Sequence, residues 1–109
     1  MKEKIRQALA ARSKLVIADS SLNDSAVLLP IFEKDGQCRI LFTKRTSHLS
    51  HHQGQISFPG GGRHENDKSS LETALRESRE EIGLKEKDVE ILGELDDAAT
   101  ATSHYRITP

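Results

Sequence analysis

Residues 69–84 read Ser69-Ser70-Leu71-Glu72-Thr73-Ala74-Leu75-Arg76-Glu77-Ser78-Arg79-Glu80-Glu81-Ile82-Gly83-Leu84, and they follow closely on Phe58-Pro59-Gly60-Gly61-Gly62. The longer stretch is the strongest helix signal in the chain. Ser69 and Glu72 have the spacing of a capping box. Leu71, Ala74, Leu75, Ser78 and Ile82 fall on one face and read as core. Gly83 is placed to end the helix. With Glu77 set at zero, Glu81 lies at about 40° and Glu80 at about −60°, so the three carboxylates share an arc of roughly 100° beside the apolar face. Like charges at i,i+4 cost a helix about 0.2–0.5 kcal/mol per pair. Arg76 and Arg79 offset part of that cost, and a divalent cation would offset more. Hard oxygen donors suit Mg²⁺ or Mn²⁺, ions that also bind substrate phosphates.

An acidic helix face alone is most often a solvated surface. The glycines upstream favour a site. Gln55 to Phe58 reads as a short strand that Pro59-Gly60-Gly61-Gly62 must break, because three glycines favour unusual backbone angles. A glycine-rich turn brings backbone groups close to a ligand, and the N-terminus of the following helix favours anions. Phe58 is expected to pack beneath this turn and Pro59 to stiffen it.

Outward from there, residues 2–12 carry Ile5, Ala8 and Leu9 at helical spacing. Ser25 to Phe32 reads as one strand, at an edge or bulged at Pro30, which has no N–H to donate. Lys34-Asp35-Gly36 signals a turn, with Cys38 to Thr43 as the second arm of a hairpin. Residues 46–54 are polar and histidine-rich, hence loop. Val89 to Leu95 and His104 to Thr108 read as strands. This irregular alternation implies an α/β or α+β sandwich. The chain ends at Ile107-Thr108-Pro109, in or beside a strand, so a domain cut short at its C-terminus is expected.

The length, 109 residues, fits one domain over 1–109 with a modest core. The apolar fraction is 35% and the charged fraction 30%, so the chain reads as soluble and globular. A formal charge of −1 gives no reason to expect a nucleic-acid partner. No apolar run approaches the roughly 20 residues that span a bilayer, and Met1 to Ala11 lacks the apolar centre of a signal peptide. A cytoplasmic protein is the expectation. The single cysteine, Cys38, excludes an internal disulfide and reads as a small buried hydrophobe. His51 and His52 are adjacent and lack the Cys/His spacing of a zinc site. His64 reads as exposed.

Arg76-Glu77-Ser78-Arg79-Glu80-Glu81-Ile82-Gly83-Leu84 resembles the second half of the Nudix box, R-E-U-x-E-E-x-G-U. The first half, G-x5-E and then seven residues, is matched by Gly61, five residues, Asp67 and then eight residues. Aspartate thus replaces glutamate, with a spacing one longer, and Ser78 stands where an aliphatic residue is usual. Leu41-Phe42-Thr43-Lys44-Arg45 with Gly54 and Phe58-Pro59-Gly60-Gly61 is similar to the signature of the coenzyme A pyrophosphatase branch, L-L-T-x-R-[SA]-x3-R-x3-G-x3-F-P-G-G. The departures are Phe42, Thr46 and, at an arginine position, Ser50.

The resemblance implies a Nudix-type α/β/α sandwich with a mixed sheet, incomplete at its C-terminus. It implies a pyrophosphohydrolase acting on a nucleoside diphosphate derivative, first of all coenzyme A or acyl-coenzyme A. Glu77, Glu80 and Glu81 would bind Mg²⁺ or Mn²⁺, with the Gly61 carbonyl as a further ligand. Arg76 would orient a glutamate, and Lys44, Arg45, Gly60 and Gly61 would meet substrate. Many relatives draw a further base or metal ligand from a loop late in the domain. An incomplete sheet would expose an edge that invites self-association into a homo-oligomer. The competing readings are a Nudix hydrolase for a nucleoside triphosphate, ADP-ribose or a dinucleotide, and a catalytically silent module that binds a nucleotide or protein.

Overall fold

A computed structural model describes residues 1–44, 56–100 and 104–109. Met1 caps a short N-terminal helix, α1 (Lys2–Ala10). The apolar run that follows is divided by Pro30. Instead of one strand over Ser25 to Phe32 there are two, β1 (Asn23–Val27) and β2 (Ile31–Lys34). The missing N–H at Pro30 ends ladder pairing on that side, and the chain leaves the first sheet there. β2 turns back into β3 (Gln37–Ile40) through Asp35 and Gly36, both at positive φ (54° and 74°). That is the signature of a type I′ hairpin. All eight strand residues of this hairpin are exposed. Cys38 is therefore exposed, not buried as its apolar neighbours suggested.

A second ribbon pairs β4 (Thr43–Lys44) with β5 (Ile56–Ser57), antiparallel, with Thr43 opposite Ser57. Phe42 and Phe58, which flank these strands, stack with centroids 4.7 Å apart. Phe58 therefore packs on Phe42, while the fully buried residue next to the glycines is Pro59.

The main sheet is mixed and four-stranded. Its members are β6 (Gly60–Gly62), β1, β8 (Tyr105–Thr108) and β7 (Ala98–Ala99), in that spatial order. β1 runs antiparallel to β6 and parallel to β8, and β7 is antiparallel to β8. The second helix, α2 (Ser70–Ile82), packs across β1 and β6. Its ends form as the sequence implies. Ser69 is extended (φ −159°, ψ 167°) and its hydroxyl accepts the Glu72 N–H at 3.2 Å, while Gly83 at φ 69° closes the last turn. The return arm of the capping box goes one residue further back, from Lys68 N–H to Glu72 Oε2 at 2.6 Å.

The buried face of α2 is smaller and more polar than expected. Thr73, Ala74 and Ser78 are buried, Leu75 and Ile82 are half-buried, and Leu71 is 40% exposed. Ala26 of β1 and Ala74 of α2 are buried apolar side chains, together with Pro59. Larger aliphatics, including Leu9, Val27, Leu28, Ile82, Leu92 and Leu95, line an apolar cleft of about 590 Å³.

The expected strand over Val89 to Leu95 does not form. After a single 3-10 turn at Glu86–Asp88 the chain runs without ladder pairing to Ala98. Gly93 adopts φ 153° and lies so close to Leu9 that an added Cβ would stand 2.9 Å from it. The segment is held by isolated bonds, Leu95 N–H to Pro109 O (3.1 Å) and Asp97 N–H to Leu15 O (2.9 Å). Asp97 is buried. Burial opposes its ionisation, but the Ile17 N–H, Lys14 and Thr108 hydroxyl around it prevail and hold its carboxyl below the usual range. Among the described residues no helix is long and apolar enough to cross a membrane.

Candidate active site

Gly60, Gly61 and Gly62 do not form a turn. They pair as a strand with β1, Gly60 opposite Val27, Gly61 opposite Ala26 and Gly62 opposite Ser25. None of the three is among the glycines at positive φ. At Gly60 and Gly61 glycine is favoured by crowding, not by backbone angle. A Cβ on Gly60 would lie 2.2 Å from the Ala26 carbonyl oxygen and 2.7 Å from Val27 Cα. A Cβ on Gly61 would lie 2.6 Å from Glu77 Cδ and 2.8 Å from both of its carboxylate oxygens. The helix thus presses Glu77 directly onto the backbone of β6.

Arg76 organises the rest. A guanidinium has five N–H donors, and this one engages acceptors with every nitrogen. Nε and Nη2 reach the Asp67 carboxylate (3.1 and 3.0 Å), and Nη2 also reaches the Gly62 carbonyl (2.9 Å). Nη1 reaches Glu77 Oε1 (2.9 Å) and Glu80 Oε2 (3.3 Å). One side chain thereby ties the loop before α2, the end of β6 and two glutamates of α2 together. Charge-assisted, forked contacts of this kind fix direction as well as distance.

Asp67 is the buried anchor of that arrangement, with 8% of its surface exposed. Besides Arg76 it accepts the His64 N–H (2.9 Å) and the Thr73 hydroxyl (2.9 Å). The Arg76 bonds, then the backbone N–H of His64, hold its carboxyl far below the ordinary range. In return Asp67, with Glu77 behind it, raises the Arg76 guanidinium above its already high value. The Asp67 carbonyl also accepts from Arg63 Nε (3.2 Å), which closes the loop on itself.

Of the residues singled out in the sequence, Glu77, Arg76 and Gly61 meet at one place, with Gly60 beside them. Glu77 is 16% exposed through its side chain and Glu80 57%. Glu81 follows on the exposed surface of the helix. Among the described residues, no three His, Cys, Asp or Glu side chains are gathered closely enough to hold a metal ion as they stand. Instead the Arg76 guanidinium lies between Glu77 and Glu80. Lys44 is exposed on the β4–β5 ribbon. Arg45, His51 and His52 lie outside the described residues, and His64 is exposed as expected.

Two participants escaped the reading of the sequence. The motif places Asp67 but not its role as hub, and Thr73 occupies a position the motif leaves open. Their signal lies in the helix period, since Thr73, Arg76, Glu77 and Glu80 stand at i, i+3, i+4 and i+7 and share one face.

A family model described as the NUDIX domain matches residues 22–107. The chain is 39% identical over 101 residues to Nudix hydrolase 3 of Caenorhabditis elegans, covering 92% of this chain and 42% of that protein. It is 40% identical over 85 residues to the uncharacterized Nudix hydrolase NudL of Escherichia coli (strain K12), covering 78% of this chain and 43% of that protein. It therefore spans less than half the length of these curated relatives. The crystal structure of a Nudix hydrolase from M. Smegmatis, RenU, is similar in fold, with a TM-score of 0.53 at 20% identity over 81% of this chain and 54% of that one. With the family pattern matched over most of its length, and the box residues brought together by Arg76, the chain belongs to the Nudix domain family.

Proposed function

We propose that this chain carries the metal-binding and catalytic helix of a pyrophosphohydrolase for coenzyme A or acyl-coenzyme A. One observation carries the reading. Arg76 holds Glu77 and Glu80 from a single nitrogen while Glu77 rests against Gly61, so a pair of carboxylates is fixed beside β6.

Nudix hydrolases are generally dependent on divalent metals, and hard carboxylate oxygens at Glu77, Glu80 and Glu81 fit Mg²⁺ or Mn²⁺. These carboxylates, with the Gly61 carbonyl as a further ligand, would hold such an ion, which would supply neutralisation of phosphate charge and activation of water. Everything else falls to the protein. Glu80, the more exposed partner, is engaged by Arg76 and would also face a bound cation. Arg76 keeps Glu77 aimed at β6. Gly60 and Gly61 let β6 pack tightly against β1 and Glu77, and Lys44 and Arg45 supply positive charge to the substrate phosphates. Water adds to one phosphorus, the P–O–P bridge breaks, and coenzyme A yields 3′,5′-ADP and 4′-phosphopantetheine.

The choice of coenzyme A rests on the spacing from Leu41 to Gly61. Ser50, at an arginine position of that signature, favours a second reading in which another nucleotide is the substrate. The absence of a ready three-ligand cluster among the described residues favours a third, a silent nucleotide- or protein-binding module. Incubation with coenzyme A, ADP-ribose and nucleoside triphosphates, each with Mg²⁺, Mn²⁺ or EDTA, separates the three. Metal-dependent release of 3′,5′-ADP supports the first, turnover of another nucleotide the second, and no turnover of any the third.

A further inference from the structure

The clamp on the glutamates leads back to a residue outside every motif in the chain. Thr73 is fully buried on α2. Its Oγ1 lies 2.9 Å from Asp67 Oδ2 and 3.3 Å from the Ser69 carbonyl. A threonine within a helix commonly turns its hydroxyl back to the carbonyl four residues earlier. Here that carbonyl is the more distant partner, and it already accepts the Thr73 N–H at 3.2 Å. The hydroxyl has one proton to give, and the shorter, charge-assisted bond is to Asp67.

We propose that Thr73 is a positioning residue for the metal-binding glutamates, acting through Asp67 and Arg76. This rests on the metal reading of Glu77 and Glu80. Asp67 is one methylene shorter than the glutamate of the family pattern and stands one residue farther from Arg76. A shorter side chain on a longer tether needs an anchor to present both oxygens to a guanidinium. The Thr73 hydroxyl and the His64 N–H supply it, both on Oδ2. With Asp67 held, Nε and Nη2 of Arg76 are committed to it and to the Gly62 carbonyl. Nη1 is then left directed at Glu77 and Glu80. Valine at position 73 keeps the shape but removes the donor, which frees Asp67 to turn and Arg76 with it.

The test compares Thr73→Val with Thr73→Ser, which keeps the hydroxyl. Mn²⁺ binding is titrated by the EPR signal of the free ion. The Nε–H resonance of Arg76, assigned by its loss in Arg76→Lys, is followed in metal-free ¹⁵N-labelled protein. Loss of a residue that supports metal ligands typically weakens metal binding by about 10- to 100-fold. Thr73→Val should weaken Mn²⁺ binding by about tenfold and move the Arg76 resonance, while Thr73→Ser leaves both close to wild type. If Thr73→Val does not fold, Thr73→Ala makes the same comparison. Equal behaviour of the hydroxyl and non-hydroxyl variants in both measurements would overturn the inference. A wild type that binds no Mn²⁺ would overturn the metal reading instead. The Arg76 resonance would then decide the role of Thr73, and an unmoved signal in Thr73→Val would refute it.

Discussion

The carboxylate of Glu77 occupies the space that a side chain on Gly61 would need, with both oxygens 2.8 Å from the position of its Cβ. Contacts under about 3 Å force something to move, and here the yielding group is the end of a side chain held by Arg76. Gly61→Ala should therefore fold, with a urea midpoint near wild type, yet displace Glu77 and weaken Mn²⁺ binding by about tenfold or more. Unchanged binding would show that Glu77 has no fixed place against β6.

Gly60→Ala should do the opposite. Its Cβ would meet the Ala26 carbonyl and Val27 Cα, which are backbone and cannot step aside. Overpacking of this kind costs about 1–3 kcal/mol, so the expected effect is a clear fall in the urea midpoint. A variant as stable as wild type would contradict the close pairing of β6 with β1.

Among the described residues the buried hydroxyl of Ser78 has no hydrogen-bond partner. An unsatisfied buried polar group costs about 1–3 kcal/mol, and the family pattern places an aliphatic residue here. Ser78→Ala should stabilise the protein by about 1 kcal/mol, read as a higher midpoint of chemical denaturation. Destabilisation would mean that the hydroxyl has a partner in solution.

Asp67 sets an acid limit on stability. Its folded pKa is depressed by Arg76, so its contribution is fully present above the unfolded value of about 3.9. That contribution is lost as pH falls through the lower folded value. Asp96, through the Leu15 N–H, and Asp97 are also depressed and act in the same direction. Stability should thus decline below about pH 4, and Asp67→Asn should flatten that decline while lowering stability at neutral pH. An identical acid profile in the variant would remove Asp67 from the linkage.

Cys38 offers a quick check of the hairpin. It is exposed on β3, so one thiol per chain should react with a disulfide reagent without denaturant. Reaction only after unfolding would place that strand under cover.

What was legible in the sequence was what local chemistry decides. Ser69, Glu72 and Gly83 fix the ends of α2 through bonds within a few residues, and Asp35-Gly36 fixes a turn by its own backbone preference. The helix period also put Glu77, Glu80 and Arg76 on one side. The misreadings share the opposite cause. Gly60 to Gly62 look like a turn because glycine permits one, yet Gly60 and Gly61 are crowded by β1 and α2 within a strand. Val89 to Leu95 has the composition of a strand, but Gly93 lies close against Leu9 and no strand among the described residues pairs with it. Cys38 looked buried because its strand has apolar neighbours, while the hairpin holds both faces open. Thr73 was invisible because its importance lies in Asp67, which the chain brings to it only after the loop has folded.

The most direct test is the release of 3′,5′-ADP from coenzyme A with Mn²⁺ or Mg²⁺, run for wild type, Glu77→Gln and Glu80→Gln. Metal-dependent product that falls by at least about 100-fold in both variants, with their circular dichroism unchanged, is the expected outcome. Turnover that survives in both variants, or that proceeds equally well in EDTA, would contradict the assignment of these glutamates to metal and pyrophosphate.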